Sequence, residues 1–192
     1  MASSFATDLD EAIVTRARRG DRQAHAVIYR AFGGAVYTLA RRLLRHPEAA
    51  EEALQETFVE VLTAIRDFRG EAPLGAWIRR IAVNKCLMQL RSYWHRHREE
   101  WDENGMQENL PLQRDEAAMR LDMETALAML PSVARTVVWL HDVEGYTHEE
   151  IARLLGRTPS FSKSQLARAY AKLRAVLAEE VNGSCMRISM SS

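Results

Sequence analysis

Between positions 144 and 174 the chain reads EGYTHEEIARLLGRTPSFSKSQLARAYAKLR, a stretch that admits few arrangements. Thr147 stands three residues before Glu150. At that spacing a hydroxyl caps the Glu150 amide while the carboxylate returns to the Thr147 amide, and a helix begins. Ile151, Leu154 and Leu155 give this helix one apolar face, and Gly156 supplies the left-handed residue that ends it. A turn follows over 157–160, since Pro159 cannot continue the first helix. Ser160 or Ser162 is then placed to cap a second helix, in which Leu166, Tyr170, Leu173 and Leu177 recur at steps of four, three and four. Two helices about a tight glycine turn make a helix-turn-helix.

At about 100° per residue, Ser160, Phe161, Ser164, Gln165, Arg168 and Lys172 fall opposite that apolar stripe, with Lys163 on its flank. None of them is acidic. Short polar groups followed by Arg and Lys suit a helix entering the major groove, where Gln pairs with adenine and Arg with guanine or phosphate. A helical hairpin with an ordinary solvated face would show the same spacing.

The rest of the chain is also helical in period, with no alternating run long enough for a strand, so an all-α fold is expected. Helices are predicted over 10–19 and 21–44, divided by Gly20. In the second, Val27, Ile28, Ala31, Ala35, Leu39 and Leu43 face a core, with Gly33 and Gly34 a weak point in the middle. Pro47 opens a third helix, where the first turn needs no amide donor. Leu54, Phe58, Val61, Leu62 and Ile65 form its inward stripe, while Glu48, Glu52, Gln55 and Glu56 point outward. An acidic outward face is usually just solvated.

The stretch 67–75, DFRGEAPLG, reads as a loop leading into a helix from Ala76 to about Trp94. Leu74, Trp77, Ile78, Ile81 and Met88 group on one side there, and Arg80, Asn84 and Arg91 share a sector of about 40° on another. Arg79, Lys85, Arg96 and Arg98 add positive charge that would attract a phosphate backbone. Trp77, Tyr93 and Trp94 are able to stack on unpaired bases, although Trp77 shares the apolar face and is expected in the core.

Net charge conceals this segregation, because 26 basic and 26 acidic residues cancel over the 192 positions. Acidic residues crowd 48–60 and 99–124, whereas basic ones crowd 79–98 and 153–174, a pattern that suits a nucleic-acid-binding protein with separate acidic surfaces. Cys86 and Cys185 lie far apart and suggest no disulfide framework. His95 and His97 lack the further ligands a metal would need, so no metal and no cofactor is expected. No Ser-His-Asp or phosphate-loop arrangement points to an enzyme. No apolar run approaches the roughly 18 residues of a membrane span and no leader pattern is seen, so a cytoplasmic location without membrane insertion is expected.

Composition divides the chain into a helical domain over 1–98, an acidic flexible linker over 99–113, a four-helix domain over 114–180 and a mobile tail over 181–192. Within the third segment, helices over 114–130 and from Ser132 to about Val143, split by Pro131, should pack on the helix-turn-helix.

The layout resembles a sigma factor of the extracytoplasmic-function group, the small initiation subunits of bacterial RNA polymerase. The segment EEALQETFVEVLTAIRDFRGEAPLGAWIRRIAVNKCLMQLR is similar to the family's second conserved region, through Gln55-Glu56, Phe68 to Gly70, Trp77, Ile81, Ala82 and Asn84. The segments LPSVARTVVWLHDVEGYTHEEIARLLG and KSQLARAYAKLR are similar to the fourth. The resemblance implies that Glu52, Gln55 and Glu56 bind the clamp of core RNA polymerase. It implies that Phe68, Arg69, Arg80, Asn84 and Arg91 recognise and melt the minus-ten promoter element, and that Ser160, Phe161, Lys163, Ser164, Gln165 and Arg168 read the minus-thirty-five element. Promoter DNA and an anti-sigma factor are partners on the same ground. Two departures bear on base preference: Ser160-Phe161-Ser162 replaces a usual Gly-Thr-Val, and Gln165 a usual Arg. The alternative is a helix-turn-helix regulator that acts without polymerase, but neither block looks like the sensor or dimerisation domain it would need.

Overall fold

The computed structural model describes residues 5–96, 126–127 and 129–189, with side chains described over 5–92, 126–127 and 129–176. It divides into two compact units, Met1–His97 and Arg98–Ser192. Every regular element among the described residues is helical.

In the first unit Asp10 caps α1 (Glu11–Arg18) by accepting from the Ala12 amide at 2.8 Å. Gly20, at φ 85°, turns the chain, and Asp21 caps α2 (Arg22–Leu44) by accepting from the Gln23 amide at 2.8 Å. The Arg16 guanidinium closes this elbow on Asp21 at 2.7 Å and holds its carboxyl below the usual carboxylate range. Helix α2 runs straight through Gly33 and Gly34. Burial of Ile28, Phe32, Val36, Leu39 and Leu43, each at 2% exposure or less, outweighs the roughly 1 kcal/mol each glycine costs a helix. Phe32 and Val36 were not in the expected stripe, which centres a little further round the helix than Val27 and Ala31, both half-buried.

Arg45 ends α2 in the left-handed region at φ 67°, where its carbonyl accepts from the Arg41 guanidinium at 2.7 Å. Helix α3 (Pro47–Ala64) then starts with proline in its first turn and buries Ala50, Ala53, Thr57, Phe58 and Val61. A short 3-10 turn, Ile65–Asp67, releases the chain into the loop 68–73. Helix α4 (Leu74–Arg96) begins two residues before the expected Ala76 and takes in Gly75. That glycine is a steric necessity, since a Cβ there would strike the Phe5 carbonyl and the Phe32 ring. Helices α2, α3 and α4 pack on one another, with α1 against α2 and the 3-10 turn.

The buried face drifts round α4, from Ile78 and Ile81 to Val83, Cys86, Leu87 and Leu90. Met88, expected on the apolar face, is therefore carried outward and stands 60% exposed. Burial pushes the Cys86 thiol up to about 12, so this cysteine is a protonated apolar filler of the core.

In the second unit Pro131 precedes α5 (Ser132–Val138), which continues as a π-helical turn, Trp139–Val143, ending where the Glu144 amide reaches the Trp139 carbonyl at 3.1 Å. Helix α6 (His148–Leu155) carries the expected capping box, Thr147 with Glu150, and ends at Gly156 with φ 65°. Helix α7 (Pro159–Ser189) does not start at Ser160 or Ser162. Pro159 is its first residue, and Thr158 caps it by accepting from the Phe161 amide at 3.2 Å. Proline's fixed φ and missing donor suit that position, so the residue that ends one helix also opens the next. Helix α7 extends to Ser189, through most of the segment 181–192 set apart in the sequence as a tail. Helices α5, α6 and α7 enclose a core of Val137, Leu140, Ile151, Ala152, Leu166 and Ala169. The whole of the linker over 99–113 and most of the helix expected over 114–130 lie outside the described residues.

Candidate functional site

Three surfaces hold the residues singled out by sequence. On α3, Glu52, Gln55 and Glu56 are all exposed along one edge. Val59 stands among them 68% exposed, and they line with Glu60, Thr63, Ala64 and Lys85 a shallow open cleft of about 560 Å³. An apolar knob ringed by carboxylates fits a partner that offers cations around an apolar contact. Lys85 is not part of the basic face of α4 as expected. Its ammonium binds the Glu60 carboxylate at 2.8 Å, and that hydrogen bond raises its pKa. Lys85 thus closes the acidic side instead of meeting phosphate.

The second surface joins the loop 68–73 to α4. Phe68 packs on Trp77 with ring centroids 5.1 Å apart, which half-buries both. Trp77 is thus neither sealed in the core nor free to stack along its whole face. Arg69 is 83% exposed, with only a 3.8 Å contact to the equally open Glu71, too loose to hold it. Arg80 and Asn84 are exposed and Arg91 is half-buried, all on one side of α4 as expected. No acidic residue interrupts the helix from Leu74 to Arg96. This face can hold a polyanion and leaves amide and guanidinium donors to meet base edges.

The third surface is the outer side of α7. Ser160, Lys163 and Arg168 are exposed, and Phe161 and Ser164 are half-buried. The Arg157 guanidinium lies 5.6 Å from the Phe161 ring centre, and the Ser164 hydroxyl donates to the Phe161 carbonyl at 2.8 Å, which leaves that hydroxyl as an acceptor only. Gln165 does not belong here. It is 5% exposed and turned inward, contrary to the outward orientation expected for a base-reading glutamine. The apolar stripe expected from sequence is Leu166, Tyr170, Leu173 and Leu177, but among the described side chains of α7 the buried set is Ser162, Gln165, Leu166, Ala169 and Leu173, a rotation that brings Ser162 against His148 of α6. Tyr170 is displaced to the margin, 38% exposed, where its hydroxyl donates to the Asp142 carboxylate at 2.9 Å. Lys163, placed by sequence beside the apolar stripe, lies clear of the buried set and is exposed.

Polar residues on the buried side of α7 set its rotation. The Ser162 hydroxyl meets His148 Nδ1 at 2.9 Å, and the His148 ring stacks on His141 at 4.6 Å between centroids. Burial, with His141 and Lys163 nearby, lowers the His148 pKa. Sequence reasoning passed over Val59, Met88 and the His148–Ser162 pair. An exposed apolar residue looks like a core residue in a helical wheel, and a serine at a helix start looks like a cap.

Helices α6 and α7, with a basic α4 on a separate unit, define an all-helical DNA-binding protein of two units. Residues 28–96 match the family model described as Sigma-70 region 2, and residues 120–173 match Sigma-70, region 4. The ECF RNA polymerase sigma factor SigM of Mycobacterium tuberculosis is 32% identical over 161 residues, covering 82% of this chain and 79% of that one. RNA polymerase sigma factor NccH of Alcaligenes xylosoxydans xylosoxydans is 27% identical over 176 residues, covering 88% of this chain and 95% of that one. The chain belongs to the sigma-70 family, in its extracytoplasmic-function group, and is an RNA polymerase-binding transcription initiation factor. Solved structures share the fold: CnrH in complex with the cytosolic domain of CnrY has a TM-score of 0.51 at 23% identity, covering 88% of this chain and 97% of that one. The sigma factor RpoE in complex with the anti-sigma factor NepR from Bartonella quintana gives 0.53 at 22% identity, covering 80% and 96%. Sigma factors are generally transcription factors and not enzymes. No helix among the described residues is long and apolar enough to cross a membrane.

Proposed function

We propose that Glu52, Gln55 and Glu56 dock the chain on the clamp of core RNA polymerase, that Phe68, Arg69, Arg80, Asn84 and Arg91 recognise and open the minus-ten element, and that Ser160, Phe161, Lys163, Ser164 and Arg168 meet the minus-thirty-five element. One observation carries this reading: on a single compact unit, α3 turns carboxylates outward while α4 turns out cations without a single acid. A protein that bound only DNA would have no use for the first face, which repels phosphate. Gln165 acts from inside, fixing how α7 is rotated. The protein does its work by binding alone, in the cytoplasm with polymerase, and uses no cofactor. An anti-sigma factor of the kind bound to the neighbouring structures would act by covering one of these faces.

Charge reversal tests the docking face. Glu52→Lys with Glu56→Lys should abolish capture of core polymerase in a pull-down while circular dichroism stays helical, because both side chains are exposed. Undiminished capture by the folded double variant would remove α3 from the docking surface.

A further inference from the structure

The outward side of α4 holds one residue that charge and hydrogen bonding leave unexplained. Met88 is 60% exposed, next to Cys86, Leu87 and Leu90, which are buried almost completely. At about 100° per residue Arg80, Arg91, Asn84 and Met88 fall within a sector of about 80°, which Trp77 also shares. The helix has no acidic residue, so this sector is cationic at both ends with a bare thioether between.

That combination selects an occupant. The cations of Arg80 and Arg91 call for a polyanion, and the apolar surface of Met88 gains only if something apolar covers it. Duplex DNA offers phosphates but keeps its base faces stacked inside. An unpaired strand offers phosphates together with open base faces, against which a polarizable sulfur packs well. The geometry points to Met88 as a base-contact residue, its side chain lying on the face of one unpaired base of the opened strand while Arg80, Asn84 and Arg91 hold the backbone and edges on either side. This rests on the reading of α4 as the surface that opens promoter DNA and adds to it a contact specific to the melted state. Nothing about the contact is base-specific in hydrogen bonding, so it serves to keep the strand open and tolerates more than one base.

The test uses holoenzyme assembled from the full chain and bacterial core polymerase. The probe is fork-junction DNA, selected by the wild-type holoenzyme from a pool with a randomised non-template overhang, and then remade with an abasic site at each unpaired position in turn. For wild type, one abasic position should weaken binding about 5- to 100-fold. Met88→Ala should weaken binding to the intact fork by a similar factor and should be indifferent to the abasic site at that one position, whereas Met88→Leu should keep most of the affinity. Wild-type affinity for Met88→Ala on the fork overturns the inference. So does an equal loss at every abasic position, or a lowered melting temperature that accounts for the loss. Arg80→Ala with Asn84→Ala is the control on the same fork. If that variant loses affinity while Met88→Ala does not, only the Met88 contact falls; if neither does, α4 is not the DNA surface.

Discussion

His148 occupies a place where protonation has a cost. Its Nδ1 faces the Ser162 hydroxyl at 2.9 Å, its ring lies on His141, and Asp142, Glu149 and Lys163 stand around it. The folded pKa lies below the ordinary histidine value, by desolvation first and by His141 and Lys163 next. At a pH above the unfolded pKa both states are neutral and the stabilisation is fully present. As pH falls through that value towards the folded one, the unfolded chain binds the extra proton, so stability falls with pH. The second unit should melt at a lower temperature at about pH 5.5 than at about pH 7.5, and His148→Gln should flatten that difference. An unchanged pH dependence in the variant, followed by circular dichroism, would assign the effect to another group. Gln165 and Lys163 separate positioning from contact in the same helix. Gln165→Ala should weaken holoenzyme binding about equally on every upstream-element variant, because a buried side chain reads no base, and should lower the melting temperature by removing a packed group. Lys163→Ala should also act uniformly but without the melting loss, and should reduce the salt slope by roughly 0.9. Competition binding on base-substituted upstream elements at several salt concentrations decides both. A loss for Gln165→Ala confined to one base change would restore it to the contact surface.

Helices in this chain succeed or fail at their glycines and caps, and two glycines predict opposite outcomes. Gly34 lies in an open stretch of α2 with nothing near the place a Cβ would take, so Gly34→Ala should stabilise the first unit by about 0.5–1 kcal/mol. Gly75 is closed in by the Phe5 carbonyl and the Phe32 ring, so Gly75→Ala should destabilise it by about 1–3 kcal/mol. Urea titrations of the two variants test the pair, and equal shifts of one sign would show that packing at the start of α4 is looser than described. The same positions show how far sequence reaches. The Thr147–Glu150 box, Gly156, Pro47 and the exposed edge of α3 are legible because each depends on groups within four residues of chain. Met88, Gln165 and Lys85 are not, because each depends on packing between elements: the buried face of α4 rotates as its partners change, α7 is turned so that Ser162 meets His148 of α6 and Gln165 is buried, and Glu60 of α3 takes the Lys85 charge. Periodicity gives the number of faces on a helix, but only packing gives their direction. Cap choice over 158–162 fails for a smaller reason, since Thr158, Ser160 and Ser162 are equivalent as acceptors until Pro159 is placed in the first turn.

For the molecule as a whole, the balance of charge decides how it meets DNA. With 26 basic against 26 acidic residues the chain has no net attraction for a polyanion, and its carboxylates on α3 oppose approach. Among the residues proposed to meet DNA the cations are few on each unit: Arg69, Arg80 and the half-buried Arg91 on the first, Lys163 and Arg168 on the second. A handful of phosphate contacts gives weak binding that fades as salt rises, and two such faces on separate units gain from each other only when something fixes their separation. Core polymerase would supply that, binding the acidic face and so removing its repulsion at the same time. The free chain should therefore give no specific shift of a promoter fragment at physiological salt, and addition of core polymerase should produce one. The Glu52→Lys, Glu56→Lys variant gives the sharper prediction. Without core it should hold DNA more tightly than wild type, because two charges reverse sign and the net charge rises by four units, yet with core it should lose the specific complex. Gel-shift titrations of both proteins, with and without core and with a scrambled competitor, measure all of this. Tight and specific binding by the free wild-type chain would place recognition in this protein alone, and the acidic face of α3 would then need another purpose.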